Sequence, residues 1–143
     1  MKIAFVFPGQ GSQAVGMGQA VKDRFESVAK IYAEADSILG YSISSLCFGG
    51  PMDELSKTKN TQPAIYTTSV ATLSVLSEHG IVPDIVAGHS VGEYAAVVAS
   101  KAMDWQGGLK LVAQRAAEME KAANSNPGTM AAVLGLDYDS VLA

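Results

Sequence analysis

Hydrophobic positions along this chain follow two alternating rhythms. The continuous apolar run in KIAFVF, Ile3 to Phe7, stops at Pro8-Gly9 and predicts a buried parallel strand. From Gln19 the apolar residues Val21, Phe25, Val28, Tyr32, Ala35 and Leu39 step by fours and threes, which predicts one helix over 19–39. Gly40 stands just past its end, where a left-handed cap is favoured. Residues 41–61 lose the rhythm, apart from a short helix at Ile43–Phe48 and a Gly49-Gly50-Pro51 break. Gln62-Pro63 opens a second long helix to about His79, with the proline in its first turn and Gly80 beyond its end. PDIVAGHS predicts a second buried strand, and VGEYAAVVASKA the helix it feeds. Asp104 is placed to cap a helix from Trp105 to about Ala123. NSNPG is then a turn, and TMAAVLGL, Thr129–Leu136, a third strand.

Strands alternating with helices predict an α/β protein, a parallel sheet with flanking helices. Parallel sheets are ordinarily covered on both faces and hold more than three strands, so the chain reads as the front part of a larger domain.

Composition narrows the function classes. The chain has 143 residues, 48% hydrophobic and 17% charged, with a formal net charge of -4, and is globular rather than disordered. Lysines and arginines are scattered singly, so neither nucleic acid nor an anionic membrane is an expected partner. No apolar stretch approaches a membrane span, and no secretion signal is visible. The single cysteine, Cys47, lies in SSLCFGG without clustered histidines; it predicts a buried, inert thiol, no metal site and a reducing, cytoplasmic setting.

The chemistry concentrates in VAGHSVGEYAA. Gly88-His89-Ser90-Val91-Gly92 fits G-x-S-x-G, the nucleophile elbow, in which a serine stands at the apex of a strained strand-to-helix turn. The residues two before and two after that serine crowd each other, and glycine at both places removes the clash. The turn puts Ser90 at the positive end of the following helix, where a developing oxyanion is favoured, with the Val91 N–H as first donor. A small residue in a tight turn is the bland alternative; the strand before and the helix after favour a nucleophile. His89 makes a poor base for its neighbour, because adjacent side chains in extended backbone point to opposite sides. It is expected to pack or hydrogen-bond behind the elbow. His79, the only other histidine, sits at a helix end. The base for Ser90 is therefore expected outside these residues. Glu93 in the first turn of the helix is read as structural.

Two further features bear on the site. Gly9-Gln10-Gly11-Ser12-Gln13-Ala14 fits G-x-G-x-x-[GA] after a strand, the dinucleotide fingerprint. That motif requires a second strand with an acidic end about 20 residues on, where this chain has a helix, so no nucleotide cofactor is expected. The loop is instead expected beside the elbow, its backbone supplying a second oxyanion donor. In the helix from Trp105, Arg115 leaves the polar side and joins Leu111, Met119 and Ala122 at the edge of the apolar face. Snorkelling or a structural ion pair explains such a placement. A half-buried guanidinium also clamps a carboxylate with two parallel hydrogen bonds.

FPGQGSQ at 7–13, TQPA at 61–64, GHSVGE at 88–93 and Arg115 in LVAQRA occur in that order. Together they resemble the malonyl-CoA:acyl carrier protein transacylases of fatty acid synthesis, and the acyltransferase domains of polyketide synthases are similar. The resemblance covers the whole chain, and the form, opening on a methionine just before the first strand, resembles the free-standing bacterial one. It implies an α/β-hydrolase-like core over 1–126 and the start of a ferredoxin-like subdomain over 127–143. It implies Ser90 as the nucleophile that takes malonyl from coenzyme A, the backbone amides of Gln10 and Val91 as the oxyanion hole, and Arg115 as the partner of the malonyl carboxylate. His89, with Gly88 and Gly92, belongs to the elbow. Coenzyme A thioester is then substrate rather than cofactor, and acyl carrier protein is the partner. Family members are considerably longer, and their catalytic histidine lies beyond the part matched here, so a C-terminal fragment supplying it is a further expected partner. A serine esterase on the same elbow, or an inactive piece, are the competing readings.

Overall fold

The computed structural model describes residues 2–125, 128 and 133–142. Strand β1 (Ala4–Phe7) is followed by helices α1 (Gln19–Lys22), α2 (Glu26–Leu39), α3 (Ile43–Gly49), α4 (Met52–Leu55) and α5 (Thr58–Glu78). Strand β2 (Ile85–Gly88), α6 (Gly92–Ala99), α7 (Trp105–Ser125) and α8 (Tyr138–Leu142) complete the order. The fold is α/β, with a small parallel sheet and many helices, as the alternating rhythms predict. β1 and β2 pair in parallel, with Ala4 opposite Ile85 and Phe7 opposite Gly88. Asp84 fixes that register: its N–H donates to the Ile3 carbonyl at 2.8 Å, and its Oδ2 accepts from the Ile3 N–H at 2.7 Å.

The core lies between the helices and one face of the sheet. Val28, Tyr32 and Ala35 of α2, Ile43 and Cys47 of α3, and Leu109 and Val112 of α7 close around α5, which buries Ala64, Ile65, Tyr66, Val70 and Ala71. Cys47 is wholly buried, and burial pushes its thiol up to about 12. Asp104 caps α7 as expected, accepting from the Gly107 N–H at 2.6 Å. Gly40 takes the left-handed C-cap of α2 at φ 74°.

Several expectations are corrected. The single helix over 19–39 is two, because Phe25 leaves helical geometry at φ -128°, ψ 116° and turns its ring edge-on to His79, centroids 5.7 Å apart. Residues 41–61 also hold α4. The long helix begins at Thr58, not Gln62, so Pro63 lies inside α5. A proline there has no N–H for the carbonyl four residues back, that of Lys59, which instead accepts from the Tyr41 hydroxyl at 3.3 Å. The strands were expected to be buried on both faces. Only the face carrying Phe5, Phe7 and Val86 is packed; Val6 is 75% and Ile85 61% exposed on the other.

The sheet has two strands among the described residues. Of the third strand expected at Thr129–Leu136, residues 129–132 lie outside the described residues, and 133–136 carry no strand. The expected boundary at 126/127 also falls outside them. No helix among the described residues is long and apolar enough to cross a membrane.

Candidate active site

β2 runs into α6 through the elbow. Ser90 takes φ 54°, a left-handed conformation that costs a residue with a side chain about 1–2 kcal/mol. Hydrogen bonds from Gly92 N–H to the His89 carbonyl (2.9 Å) and from Glu93 N–H to the Ser90 carbonyl (3.1 Å) hold the turn. The two glycines are required by space. A Cβ on Gly88 would run into the carbonyl carbon of Gly92 and the nitrogen of Glu93, and one on Gly92 into the carbonyl oxygens of Phe7 and Pro8. Ser90 is exposed on the N-terminal side of α6.

Parallel pairing puts the loop after β1 beside the elbow, as expected. The His89 N–H donates to the Phe7 carbonyl at 3.0 Å. The loop folds on itself: the Ser12 hydroxyl donates to the Gly9 carbonyl at 2.7 Å, and the Gly11 N–H to Gln13 Oε1 at 2.8 Å. Among the described residues neither the Gln10 nor the Val91 amide donates to a protein acceptor.

Neither histidine ring hydrogen-bonds the Ser90 hydroxyl among the described residues. The His89 imidazole lies against Gly9 and leaves no room for a Cβ there. His79 caps the end of α5, its Nδ1 2.8 Å from the Val75 carbonyl oxygen.

Arg115 comes to the site from α7. Its Nη2 donates to Ser90 Oγ at 3.0 Å, and its Nη1 donates to Gln62 Oε1. The guanidinium carbon stands 6.0 Å from the centroid of the Tyr94 ring. None of the ion pairs among the described residues includes this side chain. Instead a cation rests on the elbow hydroxyl.

Gln62, in the TQPA stretch, shows no role in the sequence alone. It is 1% exposed, and its Nε2 donates to Gln10 Oε1 at 3.4 Å and to Met119 Sδ at 3.2 Å. Gln10 in turn donates to Thr58 Oγ1 at 3.4 Å. The signal that marks it is a glutamine within the otherwise apolar or small buried run 62–66.

A family model described as acyl transferase domain matches residues 4–140. The chain is 44% identical over 140 residues to the malonyl CoA-acyl carrier protein transacylase of Bacillus subtilis (strain 168), covering 98% of this chain and 44% of that protein. It superposes with a TM-score of 0.82, at 42% identity, on an acyl carrier protein S-malonyltransferase from Vibrio cholerae, covering 85% of this chain and 40% of the other. A malonyl-transacylase in complex with its type II PKS acyl-carrier protein gives a TM-score of 0.81 at 42% identity, with 85% and 40% covered. The chain spans less than half the length of each of these proteins.

Proposed function

The chain belongs to the acyl transferase domain family, and from that premise we propose that it carries the nucleophile and the carboxylate clamp of a malonyl transfer from coenzyme A to acyl carrier protein. The observation that carries this reading is the contact of Arg115 Nη2 with Ser90 Oγ, 3.0 Å. A fixed guanidinium beside an elbow serine suits an acyl group that bears its own carboxylate, and a plain esterase has no use for it.

In the proposed first step Ser90 Oγ bonds to the thioester carbonyl carbon while its proton passes to a base. The carbonyl oxygen becomes an oxyanion between the amides of Gln10 and Val91, at the positive end of α6. Collapse breaks the carbon–sulfur bond, and coenzyme A leaves as the thiol after taking the proton back from the base. The phosphopantetheine thiol of acyl carrier protein then attacks the malonyl-serine ester by the reverse path. Arg115 holds the malonyl carboxylate through both steps. The base is proposed to be a histidine from polypeptide outside these residues, since neither the His79 nor the His89 ring hydrogen-bonds the Ser90 hydroxyl. The strands and elbow are read as part of an α/β-hydrolase-like core in a cytoplasmic protein, and residues 127–143 as the start of a ferredoxin-like subdomain.

The test is the denatured intact mass after incubation with malonyl-CoA, for the chain alone and for the chain mixed with the C-terminal half of a transacylase relative. A malonyl adduct lost in Ser90→Ala and passed on to acyl carrier protein is the expected result. No adduct in either mixture overturns the reading; an adduct that turns over to free malonate with carrier protein present favours a hydrolase.

A further inference from the structure

The TQPA stretch has no part in the steps above, yet it is buried from end to end: Thr61, Gln62 and Ala64 are 0%, 1% and 0% exposed, and Pro63 is fully buried as well. Thr61 explains itself by donating its hydroxyl to the Leu55 carbonyl, which ties α5 to α4. Gln62 does not explain itself by packing. Burying a primary amide costs about 1–3 kcal/mol unless its hydrogen bonds are made, and a leucine or methionine would fill this place in the apolar run without that demand.

What Gln62 does with its amide is specific. Arginine has only donors, so the Gln62 oxygen must face the guanidinium and its nitrogen must face away. The observed partners follow that rule: Oε1 takes Arg115 Nη1, and Nε2 gives to Gln10 Oε1 and Met119 Sδ. Amide and guanidinium therefore fix each other's orientation. A carboxylate clamp needs that, because two parallel N–H bonds form only when the guanidinium plane is held.

We propose that Gln62 is a positioning residue for acyl selectivity: its buried carboxamide holds the Arg115 guanidinium in one plane and ties it through the Gln10 side chain to the loop after β1. This deepens the malonyl reading and rests on it. The clamp and the loop after β1 then form one hydrogen-bonded unit, Arg115–Gln62–Gln10–Thr58, and a carboxylate seated on Arg115 orders the loop that carries the Gln10 amide. A device of this kind rewards acyl groups with a terminal carboxylate in two places at once.

The test uses the chain itself, with arginine side chains isotopically labelled for NMR, and two variants that keep the volume of Gln62. Gln62→Met keeps packing and removes the hydrogen bonds; Gln62→Glu keeps shape and sets a carboxylate on Arg115. Rotation of the Arg115 guanidinium about its Nε–Cζ bond is measured without ligand, and sodium malonate and sodium acetate are then titrated separately. The expected result is slow rotation in the wild type, at least about tenfold faster rotation in Gln62→Met, and slow rotation in Gln62→Glu. Malonate preference over acetate falls at least about tenfold in both variants, since one has a loose clamp and the other an occupied one. Equal rotation in the wild type and Gln62→Met, with both folded by circular dichroism, overturns the proposal whatever malonate does. Rotation that changes as expected in a wild type that does not prefer malonate leaves Gln62 positioning Arg115, and counts against the malonyl reading alone.

Discussion

Arg115 and Ser90 meet although 25 residues separate them, the guanidinium Nη2 donating to the serine Oγ at 3.0 Å. α7 and the elbow deliver a fixed cation and a strained hydroxyl to one point. If that cation holds the acyl carboxylate, Arg115→Ala removes two charge-assisted hydrogen bonds, each worth about 1.5–3 kcal/mol. Malonyl loading in an assembled enzyme should then fall by at least about a hundredfold. Acetyl loading should be spared or improved, and rates of acyl-serine formation with the two thioesters measure the contrast. Equal losses would remove the clamp from the mechanism.

Ser90 separates stability from chemistry. At φ 54° an alanine suffers the same backbone strain as the serine, whereas glycine does not. Ser90→Gly should be more stable than Ser90→Ala by about 1 kcal/mol, with neither forming an acyl adduct. Urea denaturation and intact mass check both halves of the statement. An order of stability reversed by that amount would show that the elbow is not strained.

Gly88 and Gly92 answer to space, not to conformational freedom. Each added Cβ meets backbone atoms, which cannot rotate away as a flexible side-chain tip would. Gly88→Ala and Gly92→Ala should each cost about 1–3 kcal/mol or more, read as a lower denaturation midpoint. A substitution tolerated without loss would mean that α6 can move away from β2, for Gly88, or from the end of β1, for Gly92.

Alkaline pH should unfold the chain from within. Burial pushes Cys47 up to about 12 from 9.0, and burial first of all raises Tyr32 and Tyr66 above 10.0. The unfolded chain loses these protons first, so the native state holds more protons and stability falls as pH rises from about 9. Each group fully ionised only in the unfolded chain contributes a slope of about 1.4 kcal/mol per pH unit. Urea midpoints between about pH 8 and about pH 11 should drop steadily, and Cys47→Ala should delay the onset toward pH 10. A flat profile would mean that these groups are hydrated in the folded chain.

Tyr41 offers a local test of the proline in α5. Its hydroxyl takes over the Lys59 carbonyl that Pro63 leaves without a helical donor. Tyr41→Phe should cost about 1 kcal/mol, and less when Pro63→Ala has restored an N–H. Strict additivity in this double-mutant cycle would show that the two residues are independent.

What the sequence revealed and what it hid differ for physical reasons. The elbow was legible because its glycines answer a local steric demand, and the caps at Gly40 and Asp104 because a single residue makes each one. Arg115 stood out because a charge at the edge of an apolar stripe breaks a period. The break at Asp23–Phe25 was hidden because Val21 and Phe25 keep helical spacing across it. Pro63 misplaced the start of α5 because its donor deficit is met by Tyr41, twenty-two residues away. Gln62 went unread because its partners, Gln10, Arg115 and Met119, meet only after folding. The open sheet face was read as buried, since an apolar run records what a strand is suited to touch and not what this chain places there.

The register of β1 against β2 also sets an order of events. Ile3 bonds to Asp84, 81 residues further on, so among the described residues β1 meets its partner strand only after β2 has been synthesised. At a synthesis rate of roughly 5–20 residues per second, β1 waits for seconds while α2, α3 and α5 have neighbours at hand. Closing so long a loop is slow compared with packing adjacent helices. The helical core is expected to form before the two strands pair, so the loop and the elbow that make the site come together late.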